Sequence, residues 1–85
     1  MAPTRVAIVE RTVLAWNRSE LDGRLARRLD SVASRPLELA DYRSVGDKVV
    51  ATASERTFVF TVKRSQITGL EIYEPGATVP ARLLR

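Results

Sequence analysis

An 85-residue chain has room for one domain and one modest core, and it buries only roughly 60–65% of the surface its unfolded form exposes. It contains no cysteine and no histidine, which removes disulfides, thiolate metal sites, the commonest metal ligand and the usual general base, so no metal and no cofactor is expected. The net charge of +4 comes from twelve arginines and two lysines against ten interspersed acids. That reads as an arginine-rich solvated surface before it reads as a nucleic-acid face.

An apolar fraction of 45% beside 28% charge is ordinary for a globular protein and argues against disorder. Apolar runs near the N-terminus reach four residues before Glu10 and Arg11 interrupt them, too short for a membrane span or a secretory core. A cytoplasmic location is the default expectation. Small domains need a supplement to their core, and with disulfides and metals removed a partner subunit is the one left.

In chain order, Thr4 is the candidate N-cap of a first helix over about residues 5–17. At about 100° per residue, Ile8, Thr12, Trp16, Val9, Val13 and Val6 fall on one wide face. Residues 17–18 break that helix. Ser19 with Asp22 reads as a capping-box variant opening a second helix over about 19–33. Its buried stripe is Leu21, Leu25, Leu29 and Val32, with Arg27 nearly opposite and Arg28 beside the stripe. Pro36 ends it by disfavouring a helical Arg35.

Beyond Pro36 the period changes to two. Strands are expected at about 37–45, 48–54, 56–63 and 66–74, joined by turns at 46–47, 54–55 and 64–65. Leu37 and Leu39 are followed in phase by Asp41 and Arg43, which predicts a bulge or a strand end near Ala40. Pro75 and Gly76 close the sheet, and residues 75–85 form an extended tail in which Leu83 and Leu84 could dock on a neighbour. The chain is thus one α+β domain over 1–85, with two N-terminal helices packed on one face of a four-stranded antiparallel sheet. The other face offers Val59, Val49 or Val50, and Tyr73. A second copy covering it makes a homodimer the expected assembly.

The segments VERTVLAWNRSELDG (9–23), GDKVV (46–50) and TFVFTVKRSQITGLEIY (57–73) resemble the opening and closing stretches of SnoaL-like proteins, in the nuclear transport factor 2-like superfamily. The resemblance covers about two-thirds of the chain and implies a cone-shaped α+β fold of the cystatin-like kind. Its departures are specific. Leu29 to Leu37 is too short for the third helix and strand pair that close the family's cone over a hydrophobic pocket. Arg64 and Ser65 replace the usual Asp-Gly of the last hairpin. Of the ketosteroid isomerase site within the superfamily, the oxyanion-hole tyrosine would fall at Thr12 and the protonated aspartate near Phe58. The base aspartate belongs to the missing segment.

A small pocket between helices and sheet would be lined by Thr12, Trp16, Arg28, Phe58 and Phe60, with Tyr42 at its rim. Each has a plainer role. Trp16, Phe58 and Phe60 would pack as core, Thr12 would bond the carbonyl of Ile8, and Arg28 would pair with Asp41 or Glu71. Asp41 and Tyr42 are the acid/base candidates that remain. The leading expectation is a non-catalytic, shortened SnoaL-like homodimer with at most a small apolar ligand pocket. Its rivals are an isomerase or cyclase acting on a hydrophobic, polyketide- or steroid-like substrate, and a basic module contacting nucleic acid.

Overall fold

The computed structural model describes residues 4–53, 55–76 and 78–80. Helices α1 (Arg5–Asn17) and α2 (Arg24–Val32) precede strands β1 (Ala40–Val45), β2 (Lys48–Ala53), β3 (Arg56–Lys63) and β4 (Gln66–Tyr73). The strands pair antiparallel in chain order, β1-β2-β3-β4, and both helices pack on one face of the sheet, the α+β arrangement expected from the sequence.

Thr4 caps α1 as expected, its hydroxyl accepting from the Ala7 amide at 3.1 Å. The helix buries Ile8, Val9, Val13 and Trp16, one face at helical spacing. Its C-terminus departs from the sequence reading. The Ser19 amide bonds the Trp16 carbonyl and the Glu20 amide bonds the Ala15 carbonyl, with Ser19 left-handed at φ 59°. That is a Schellman ending. Ser19 therefore closes α1 instead of opening α2, and α2 begins at Arg24 behind Gly23, whose φ of 92° glycine adopts without a Cβ penalty. Helix α2 is thus nine residues long, and it buries Ala26 and Leu29.

The connection from α2 to β1 contains a cis Arg35–Pro36 peptide and stays irregular to Leu39, so the first strand starts at Ala40 and not at 37. Leu37 is nonetheless buried, because the Asn17 side chain stands in for a strand partner. Its Oδ1 accepts from the Leu37 amide at 2.8 Å and its Nδ2 donates to the Leu37 carbonyl at 3.0 Å. Ala40 pairs with Thr52 and Arg43 with Val50, leaving two residues opposite Ala51. This is the expected bulge, with Asp41 at φ 54°.

Phe60 opposite Val49, and Phe58 opposite Ala51, face the helices, while Val59 opposite Val50 faces away. The alternative left open for β2 is thereby resolved: Val49 belongs to the helix side and Val50 to the outer side. The turn at 46–47 carries Gly46 at φ 60°, and the turn at 64–65 has both residues positive, Arg64 at 52° and Ser65 at 62°. Two positive φ values are the type I′ signature, adopted here by residues that bear a Cβ. Of the tail, residues 77 and 81–85, including Leu83 and Leu84, lie outside the described residues.

Candidate functional site

The space between helices and sheet is where a pocket was expected, and large side chains fill it. Trp16, Phe58, Phe60 and Leu29 are each at most 1% exposed. The Phe58 and Phe60 rings, two residues apart on β3, stack with centroids 6.4 Å apart. Thr12 turns back into its own helix, donating to the Ile8 carbonyl at 2.8 Å.

Trp16 is held from three sides. Its indole N–H donates to Asp30 Oδ1 at 2.8 Å, and the Arg35 guanidinium lies over the ring, 4.2 Å from its centroid. The same arginine donates through Nε to the Trp16 carbonyl at 2.7 Å and pairs with Asp30 at 3.2 Å. One closed set of contacts thus ties the end of α1, the end of α2 and the connection beyond it. Neither Asp30 nor Arg35 stands out in the sequence as part of a site. Their spacing of five residues, just ahead of Pro36, is the only signal present.

The five residues expected to line one pocket do not converge. Thr12, Trp16, Phe58 and Phe60 belong to the packed interior or its margin, whereas Arg28 is exposed on the far flank of α2. The ion pairs among the described residues join Arg35 to Asp30, Arg56 to Glu74 and Lys63 to Asp47. Arg28 takes part in none of them, so neither Asp41 nor Glu71 is its partner.

The acid/base candidates diverge as well. Asp41 is exposed at the bulge, its Oδ2 3.4 Å from Thr52 Oγ1. Tyr42, the next residue, points inward against the core and borders a groove of about 510 Å³ between α1 and β1, with Glu10, Leu14 and Leu37 also on its walls. Burial pushes the Tyr42 phenol above its ordinary value, and the Glu10 carboxylate adds to the shift. A phenol so placed stays protonated at neutral pH.

Two further clefts lie on the surface. A groove of about 630 Å³ opens where the α2–β1 connection passes the far ends of β3 and β4. Its arginines are engaged: Arg35 as described, and Arg56 with Glu74 at 2.9 Å and with the Val32 carbonyl. A smaller, mainly apolar cleft of about 190 Å³ lies between α2 and β4, and this is where Arg28 belongs. On the outer sheet face Val50 and Val59 are 5% and 1% exposed, with Tyr73 and Val79 packed against them. Tyr73 and Val79 therefore cover the middle of the surface expected to meet a second copy, and both remain half-buried there.

No helix among the described residues is long and apolar enough to cross a membrane. Among the same residues no group of three or more acids gathers as a metal site would require. Comparison with protein-family models, curated proteins and solved structures finds no match to this chain.

Proposed function

We propose that this chain is a non-catalytic, homodimerising cytoplasmic domain, a shortened relative of the SnoaL-like proteins that holds at most a small apolar ligand. The observation that carries the reading is the filled space between the layers. In a cone of this kind that space is the substrate cavity, and here Trp16, Phe58 and Phe60 occupy it at 1% exposure or less. The positions that correspond to the isomerase site read Thr12 and Phe58. The first is bonded to its own helix and the second is packed under α1 and α2. A small isomerase or cyclase would need a buried acid beside its substrate, whereas Asp41 faces solvent on a bulge.

Self-association rests on the outer sheet face. There Tyr73 and Val79 form a half-buried apolar strip over Val50 and Val59, flanked on the same face by Arg43, Lys48 and Glu71. A standard interface removes about 800 Å² per partner, and a two-fold axis through this strip would let one patch serve both copies. Light scattering at micromolar concentration tests it. The expected mass is twice the 9.5 kDa of the chain, returning to the single mass in Val79→Arg. A single-chain mass for the unaltered protein at every concentration would refute self-association.

A further inference from the structure

We propose that the cleft between α2 and β4 binds a small amphiphilic carboxylate, with the anion held by Arg24 and Arg28 and the apolar part seated on Leu25, Ile67 and Leu70. The inference rests on the binding half of the reading above and is independent of self-association.

Arg24 and Arg28 are four residues apart on α2, so their side chains emerge as neighbours on one flank of the helix. Both line the cleft, both are exposed, and neither takes part in an ion pair among the described residues. Like charges at this spacing repel, and cations in the N-terminal half of a helix are further disfavoured by its dipole. Glu20 and Asp22, which the sequence places just ahead of the helix, make no ion pair with either arginine. The flank is electrostatically unfavourable as it stands, and one bound anion between the two guanidinium groups would relieve it. Planar forks of donors match a carboxylate in two-point contact.

The apolar floor decides what the anion carries. A volume of about 190 Å³ lies below the range of about 300–1,000 Å³ typical of drug-sized ligands. It equals roughly six waters' share of liquid volume, the size of one aromatic ring or a short alkyl chain. A bulge in β4 disfavours the alternative of an added peptide strand. Thr61 pairs with Gly69 and Val62 with Ile67, so Thr68 is an extra residue that breaks the ladder beside the cleft. A short chain or a single ring ending in carboxylate fits both the charge and the size.

The test is a titration of the full chain with sodium hexanoate and sodium benzoate, followed residue by residue in amide NMR spectra. The expected result is saturable binding on the order of millimolar, with shifts confined to the first turns of α2 and to residues 66–70. Hexanol, of equal length without the charge, should bind about tenfold more weakly, as should both acids to the double variant R24Q/R28Q. Arg27→Gln, which removes the same charge from a residue of α2 that does not line the cleft, should leave binding unchanged. No saturable shift, equal binding of the alcohol, equal loss in Arg27→Gln, or shifts centred on Trp16 and Phe58 would each overturn the proposal. So would a short oligonucleotide that displaces the acid from this face with steep salt dependence, since it would assign the arginines to a polyanion. Oligomeric mass does not enter any of these readings, so either proposal can fail alone.

Discussion

Asp30 accepts the Trp16 indole N–H while pairing with an arginine that itself lies over the ring, so one half-exposed carboxylate serves two structural partners. Removing it in Asp30→Ala leaves a buried donor without its acceptor. The expected loss is about 1 kcal/mol, discounted for solvent screening, which lowers the melting midpoint by about 4–8 °C in a domain of this size. Trp16→Ala removes the ring as well, an expected loss of about 3–5 kcal/mol from a total of roughly 4–13 kcal/mol for such a chain. Circular dichroism on heating reads both. Tyr42 makes a different, pH-dependent contribution. Its folded phenol titrates above the unfolded value, raised first by burial and then by Glu10. The unfolded chain therefore loses its proton first as pH rises, so the stabilisation is present below the ordinary tyrosine value and is lost as pH climbs through the folded one. Denaturant midpoints should fall more steeply above about pH 10 in the unaltered chain than in Tyr42→Phe; parallel curves would contradict the assignment.

Helices and strands differ in how much of their ends could be read locally. The face of α1, the Thr4 cap, the alternation of β3 and the bulge in β1 follow from short-range patterns, and the structure has them. The boundary between the helices does not. Ser19 and Asp22 satisfy the local pattern of an N-cap, yet the same serine also suits a left-handed residue closing the previous helix, and Gly23 is the better start for α2. Leu37 misled in the opposite sense. Its burial is real, but it is achieved through the amide of Asn17, twenty residues away, and not by a strand ladder. No local pattern carries such a contact. The last hairpin shows a turn imposed by its flanking strands, since Arg64 and Ser65 are held where Asn-Gly would sit without strain. The double variant R64N/S65G should therefore stabilise the chain by about 1 kcal/mol, read as a higher denaturant midpoint with an unchanged slope.

At the level of the whole molecule, element order and sheet layers could be read from the change of hydrophobic period at Pro36, whereas the candidate site could not. Periodicity places Thr12, Trp16, Phe58 and Phe60 on inward faces, but whether inward faces enclose a space depends on how closely two layers approach. That distance is set by tertiary packing. The outer face carried a related ambiguity. Alternation identified Val59 and Tyr73 as outward, and only the path of the C-terminal segment through Val79 determines how much of them meets water. No ligand enters the packed core around Trp16, Phe58 and Phe60, and Trp16 permits a direct test because it is the only tryptophan in the chain. Its emission should be measured while the protein is titrated with a steroid-sized apolar ligand. The expected emission is blue-shifted and does not change across the titration. A saturable shift or quenching of Trp16 would mean that the interior admits a ligand, and would contradict this packing.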